Sequence, residues 1–304
     1  MPRINPFEHG LTPEDLGIQR PQEKAVEAAL QHAEATKPER VPFSEDIERA
    51  REVLGPDVLG PEAVEKTFGI ELDPDEVPEL SLSKEELERA KELGQMLVLR
   101  VNQASDGEPL TMQKIQELLQ DQFDQEGKGK VLYNTDWYKD ERFFTTETAR
   151  AAWALVNKDL IADSTSKNYF EQTELLVQYL RDQVFKGQQI PREYQEAIEE
   201  FEKQRKDLKK LTEKDWQKAA ERFEQLKLTQ LTRQTPVEAL YDTMMAFQNN
   251  DERILPSTYA WTPRRSSYGE LVYVGDFGSG GVDVDSDEPD YRYDFLGVSF
   301  SRSL

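Results

Sequence analysis

Cysteine is absent from this 304-residue chain, and histidine is nearly so, with only His9 and His32. Disulfides, thiolate zinc sites and cysteine nucleophiles are therefore excluded, and with both histidines in the Pro-rich N-terminal segment neither a histidine-based triad nor a His-rich metal site is expected. Basic residues are also scarce: 38 Lys and Arg stand against 60 Asp and Glu, a net charge of −22. Phosphate neutralisation needs surplus cation, so no nucleic-acid partner is expected. The pairs Arg205-Lys206 and Lys209-Lys210 fall on a helical pattern and read as a solvated face. Long apolar runs are missing too, and nothing apolar follows Met1-Pro2-Arg3. Neither a membrane span nor a secretory signal is expected. The protein is expected in the cytoplasm unless a non-classical route exports it.

Proline, by contrast, is concentrated. Ten of the sixteen prolines fall in residues 1–80. Short helical pieces fit between them, Gln22 to Ala35 and Ser44 to Leu54, the second with Ser44 as N-cap. The segment reads as an extended arm. Ser83-Lys84-Glu85-Glu86 is a capping box. Leu87, Ala90, Leu93, Leu97 and Val101 follow at helical spacing. After a turn at Ser105 to Pro109, Ile115, Leu118, Leu119 and Phe123 mark a second helix, so residues 81–130 read as a helical hairpin. Residues 131–162 turn aromatic and β-like, with Ala151 to Val156 as a buried strand. A helix follows with Tyr169, Thr173, Leu176, Val177 and Leu180 inward. Pro191 to Lys210 and Glu213 to Leu228, the latter capped by Thr212, read as an antiparallel hairpin. Pro236 opens a last helix through Gln248, closed by Asn249-Asn250-Asp251.

Lysine does not recur after Lys227, and the last 46 residues, Tyr259 to Leu304, change character. Leu271 to Val274, Val282 to Val284 and Leu296 to Phe300 alternate with period two, and Gly275, Gly278, Gly280, Gly281 and Gly297 punctuate them. A helical, charged chain thus ends in a small sheet. Alternation sends Val272 and Val274 inward and Leu271 and Tyr273 outward, and likewise leaves Asp283 and Asp285 outward of Val282 and Val284.

Arg233-Gln234-Thr235-Pro236-Val237-Glu238-Ala239-Leu240, then Tyr259-Ala260-Trp261-Thr262, then Phe277 to Val284 and the closing Gly297-Val298-Ser299-Phe300-Ser301-Arg302 occur in that order. Over residues 145–304 this order resembles the C-type-lectin-like fold of formylglycine-generating-enzyme-like and bacterial paralogous-surface domains. Gln234 stands where those domains carry Leu. Within that fold the tail is most similar to the variable target proteins of diversity-generating retroelements. In that family, C-terminal strands and loops are rewritten by mutagenic reverse transcription at template adenines, and the variable residues form a ligand-binding surface.

The resemblance implies an α+β chain. A mainly helical N-terminal region, with the arm over 1–80 and the hairpin over 81–130, precedes a lectin-like domain over 131–304. That domain carries a helical insertion at about 188–230 and a variable region at 259–304. Trp261, Val272, Val274, Phe277, Val282, Val284, Leu296, Val298 and Phe300 would be framework. Arg264, Arg265, Tyr268, Tyr273, Asp276, Ser279, Asp283, Asp285, Asp287, Tyr291, Arg292, Tyr293 and Asp294 would form the surface for a protein or other macromolecular ligand. Most belong to the set a mutated Asn codon reaches (Tyr, Asp, Ser, Gly, Arg, Val, Phe); Glu270 and Glu288 do not and would be fixed. Such a Tyr/Asp/Ser/Gly surface is chemically like an antibody paratope.

Two other readings of the tail stand beside this one: an ordinary solvated sheet edge, and a structural or assembly protein built on the hairpins and the arm. Asp283-x-Asp285-x-Asp287 resembles the start of a calcium loop, but Glu288 replaces the glycine at the sixth position and Asp294 the glutamate at the twelfth. No cofactor is expected. The formylglycine-forming relatives depend on cysteines that this chain lacks, so an enzyme is not expected either.

Overall fold

The structure, a computed structural model, describes residues 44–304; the expected Gln22–Ala35 helix and both histidines lie outside them. In chain order the elements are α1 (Glu45–Leu54), β1 (Val58–Leu59), α2 (Pro61–Phe68), α3 (Lys84–Glu92), β2 (Gln95–Arg100), α4 (Met112–Glu126) and α5 (Arg142–Thr145). Then come β3 (Ala152–Asn157), α6 (Tyr169–Tyr179, extended by a π turn over Leu180–Val184), α7 (Arg192–Lys214), α8 (Trp216–Gln225), α9 (Lys227–Thr232) and α10 (Pro236–Asn250). The chain closes with β4 (Tyr259–Arg265), β5 (Leu271–Gly278), β6 (Gly281–Asp287), β7 (Leu296–Gly297) and β8 (Ser301–Ser303). The fold is α+β, with one sheet in the order β1-β2-β3-β8 and a second in the order β6-β5-β4-β7.

Residues 81–130 are not a helical hairpin. The Ser83–Glu86 capping box forms as expected and starts α3. Gly94, at φ +64°, then ends the helix, because left-handed backbone is cheap only for glycine. The next residues, Gln95 to Arg100, form a fully buried strand. An unbroken apolar run fits either period, and the Leu93–Leu97–Val101 spacing was coincidental. Thr212 does not cap a new helix either. Its hydroxyl donates to the Leu208 carbonyl inside α7 (2.9 Å), and Asp215 caps α8. Of the aromatic stretch 131–162, only Ala152–Asn157 is a strand; residues 131–145 hold a short helix and one isolated bridge from Leu132 to Val282.

Residues 44–80 belong to the main core rather than to a separate arm. Ile47, Leu54, Val64, Phe68 and Leu80 pack in the same cluster as β2, β3 and α10. The Trp153 indole N–H donates to the Pro78 carbonyl (2.9 Å). Helix α10 runs through the centre, buried from Pro236 to Glu238 and from Leu240 to Gln248. It starts on a capping box, with Thr235 accepting from Glu238 N and the Glu238 carboxylate accepting from Thr235 N (2.9 Å).

One ionic cluster sits inside this core. Arg100, 1% exposed, forks onto Asp242, with Nε at 2.9 Å from Oδ1 and Nη2 on Oδ2. Its Nη1 lies 3.2 Å from Glu238, and Nη2 also donates to Ser301 Oγ (3.0 Å). Burial opposes the Arg100 charge, but Asp242 and Glu238 outweigh it and raise the guanidinium pKa. Burial likewise opposes the Glu238 charge, yet Arg100 and the Thr235 and Arg150 amides hold that carboxyl below its usual range. Burial pushes the Asp242 carboxyl upward against Arg100; the two-pronged fork, with Gln234 as a third donor (2.7 Å), fixes it as the ionised partner. The cluster joins β2, α10 and β8.

Among the described residues, no helix is long and apolar enough to cross a membrane. Removing one partner of a buried ion cluster leaves bare charge, which costs about 3–5 kcal/mol. Arg100→Met should therefore lower the urea midpoint at unchanged slope, the product of slope and shift matching that loss. A loss as small as an exposed ion pair's, under about 1 kcal/mol, would show that the cluster does not organise the core.

Candidate binding face of the C-terminal sheet

The second sheet has two faces with different neighbours. Val272 and Val274 on β5, with Val282 and Val284 on β6, face the core that holds α10. The opposite face follows from the register. Tyr273 pairs with Asp285, Leu271 with Asp287 and Gly275 with Asp283 across β5–β6; Trp261 pairs with Tyr273 and Tyr259 with Gly275 across β4–β5. Opposed residues share a face. Two rows therefore cross the sheet toward its β6 edge: Trp261, Tyr273, Asp285 and Tyr259, Gly275, Asp283. Gly275 has no alternative here, since a Cβ would lie 2.1 Å from the Thr258 carbonyl.

Most of this face is not open to solvent, and Tyr273 is the clearest correction to the expected surface. Tyr273 is buried, in a second core with Leu271, Trp261, Tyr169, Phe223 and Phe201. The cause is the α7–α9 insertion, which covers the sheet where alternation alone leaves it bare. Arg233 shares that burial. Its guanidinium stacks 3.9 Å from the Tyr169 ring and donates to the Trp261 carbonyl (3.5 Å).

Only the β6 edge and the loop after it stay accessible, and here aromatic rings and carboxylates interleave. Tyr291, Tyr293 and Phe295 stack in file, with ring centroids 5.6 and 4.9 Å apart. Phe295 meets Tyr259 edge-on, and Tyr259 meets the buried Tyr273. A continuous aromatic file thus runs from solvent to the core. The Tyr259 hydroxyl donates to Asp283 (2.8 Å) and reaches Asp276 at 3.4 Å, while Tyr293 donates to Asp287 (2.7 Å). That hydrogen bond, with burial and the Asp287 charge behind it, raises the Tyr293 phenol to about 12. Burial, then Asp283 and Asp276, push Tyr259 up further. These phenols remain neutral donors.

Asp276, Asp283, Asp285, Asp287, Tyr291 and Tyr293 are brought together here. Asp276 is turned outward by the bulge between Gly275 and Gly278, at φ +45°. Asp294 is exposed on the same loop, and Ser279 is exposed at the β5–β6 turn. Arg264, Arg265 and Tyr268 lie instead around the β4–β5 turn. Arg264 pairs with Glu147 (2.7 Å) and Arg265 with Glu224 (2.8 Å), so both are tethered; Tyr268 is 72% exposed. Arg292 is held by Glu171 (3.0 Å). Tyr259 and Phe295 belong to the face although sequence reasoning passed over them. The signal was present: Tyr259 is two residues from Trp261, hence on the same side of the strand.

Asp276, Asp283, Asp285, Asp287, Glu288, Asp290 and Asp294 have no Lys or Arg within ion-pair distance among the described residues. Burial, with Asp283 and Asp287 adding to it, raises the Asp285 carboxyl above its usual range; burial, with Asp290, Asp287 and Glu270, does the same to Glu288. Asp283, Asp285 and Asp287 lie on a strand, and among the described residues no group of three or more His, Cys, Asp or Glu is placed to hold a metal ion. The arrangement offers neutral phenols, ring edges and uncompensated carboxylates. Protein-family models, curated proteins and solved structures give no significant match to the chain.

A raised folded-state carboxyl destabilises once ionised, so its cost is absent below the unfolded value near pH 3.9 and complete above the folded one. Asp285→Asn should accordingly raise the thermal midpoint at neutral pH. The gain should close as pH falls through the acid range. A gain that persists undiminished at pH ~3 would rule out ionisation as its source.

Proposed function

We propose that this is a non-enzymatic ligand-binding protein with a C-type-lectin-like scaffold, whose C-terminal sheet holds interchangeable side chains toward a protein or other macromolecular ligand. The observation that carries the reading is the division of labour in the tail. All nine framework positions, Trp261, Val272, Val274, Phe277, Val282, Val284, Leu296, Val298 and Phe300, are at most 3% exposed. Between them, Asp276, Ser279, Asp285, Tyr291 and Asp294 stand in solvent, with Asp283, Asp287 and Tyr293 half-buried beside them. Tyr273 is withdrawn from that surface and becomes a support beneath it.

Further features favour the scaffold. Strand β3 pairs antiparallel with the closing β8, Ala154 opposite Ser303 and Val156 opposite Ser301, while a separate hairpin sheet carries the exposed edge. Helices α7 to α9 form an insertion between α6 and the Thr235-capped α10. The surface chemistry selects its partner. Tyrosines give large contact area at low entropy cost, and carboxylates without counter-ions favour a ligand with basic and hydrogen-bond-donating groups. Diversification by a retroelement reverse transcriptase accounts for the palette of these positions.

Sister copies of the locus from one population should differ chiefly at the codons for Asp276, Ser279, Asp283, Asp285, Tyr291 and Asp294. A nearby near-copy of the 3′ coding sequence should differ from it only at adenines. Differences spread evenly along the gene would end the retroelement reading. In the protein, alanine at Asp276, Ser279, Tyr291 and Asp294 should each change stability by no more than about 0.5 kcal/mol. Trp261→Ala should cost about 3–5 kcal/mol. Comparable losses in both sets would mean that the exposed residues build the fold rather than decorate it.

A further inference from the structure

Beside the far edge of β6, away from the aromatic file, lies an open groove of about 440 Å³. That volume falls within the ~300–1,000 Å³ of ligand sites. Gln116, Gln120 and Asp124 line it from one face of α4, at helical spacing i, i+4, i+8. Tyr133, Asn134 and Thr135 line it from the segment opposite.

The walls are fixed. Gln120 accepts from Val131 N (3.1 Å) and donates to the Gly129 carbonyl (3.4 Å) and Asp124 (2.8 Å), fastening the loop to the helix. Gly129, at φ +90°, lies so close to the Ser279 carbonyl that a Cβ would meet it at 2.0 Å. Tyr133 N donates to Val282 O (3.0 Å), and Val282 N to Val131 O (2.9 Å).

The lining, however, has bonding capacity to spare. Tyr133 is 56% exposed, one ring edge rests over Gly280, and its hydroxyl has no partner among the described residues. Among the described residues the Gln116 amide, the Asn134 NH2 group, the Thr135 hydroxyl and one Asp124 oxygen have no hydrogen-bond partner. In a chain of net charge −22, this groove sets one aspartate against one lysine, Lys130, and is otherwise lined by amides, a hydroxyl, an aromatic ring and Leu132.

The geometry points to a binding site for a neutral saccharide, with the Tyr133 ring as platform for the C–H face of a sugar ring and Gln116, Asn134, Thr135 and Asp124 hydrogen-bonding its hydroxyls. Sugar hydroxyls are at once donors and acceptors and match amide and hydroxyl side chains, which are both. The polarised C–H bonds of a pyranose face suit the negative face of an aromatic ring. A cationic ligand would find little net charge here, and an apolar one would strand the polar wall. None of the contacting residues belongs to the C-terminal sheet, so this site stands or falls apart from the proposed variable face.

The test is saturation-transfer NMR on the full chain with maltose, cellobiose, lactose and diacetylchitobiose at millimolar concentration, alongside the same sugars coupled to serum albumin. Transfer to a free sugar identifies free saccharide as sufficient; binding of conjugates alone points to a protein-borne glycan. Tyr133→Ala and Gln116→Leu, both away from the core, should each weaken binding by about tenfold or more, ~1.4 kcal/mol, at an unchanged thermal midpoint. Binding in neither arm, or affinity that is unaltered in the Tyr133→Ala chain, overturns the assignment.

Discussion

The interaction on which the rest depends is the fork of Arg100 onto Asp242, with Glu238 and Ser301 beside it. A buried ion cluster contributes little net stability over a well-packed apolar replacement, because desolvation offsets the attraction. Its effect is on uniqueness. Arg100 is on β2, Asp242 and Glu238 are on α10 and Ser301 is on β8, so the fork is satisfied only when the first sheet, the central helix and the last strand are all in register. Glu238 does a second job as the third residue of the α10 capping box. The same carboxylate therefore sets where α10 begins and how it is rotated against the sheet.

With α10 so fixed, the second sheet is pressed from both sides. Phe277, Val272 and Val284 meet the α10 core; Trp261, Leu271 and Tyr273 meet the inserted helices. A strand buried on both faces has no free side chains to offer. Exposure is confined to places where the sheet stops: the bulge at Asp276, the turn at Ser279, the edge strand β6 and the loop carrying Tyr291 and Asp294. The exposed surface of the tail is thus a consequence of packing, and it is narrower than strand alternation alone implies.

Much of this was legible in the residues. Strands at 151–156, 271–274 and 282–284, the capping box at Ser83, the helix opened by Pro236 and its stop at Asp251 follow from local chemistry, and the structure places those strands at 152–157, 271–278 and 281–287. The failures share one origin, information that resides outside the local window. Leu97 fits a helix and a strand equally, and pairing with Leu155 on β3 decides it. Tyr273 alternates correctly, yet its exposure depends on Phe223 and Tyr169, distant in sequence. Arg100 looks like one more surface cation until Asp242, 142 residues away, is placed beside it. The polar groove is of the same kind, since the amides of α4 mean nothing until Tyr133 stands across from them.

The proposed variable face requires an edge whose backbone is independent of its side chains. Strand β6 meets that requirement. Its inner side is laddered to β5 from Leu271 to Gly278. Its outer side is closed by groups that do not belong to the tail: Tyr133 N takes the Val282 carbonyl, and the Trp137 indole takes the Val284 carbonyl at 2.9 Å. An edge capped in this way neither recruits a stray strand nor relies on Asp283, Asp285 or Asp287 to hold it. Each aspartate does accept the N–H of the residue after it, at 2.8–3.0 Å, but those bonds lie on the solvent side of a strand already pinned. The side chains at these positions therefore contribute little to whether the sheet forms, which is what the proposed variable face requires of them.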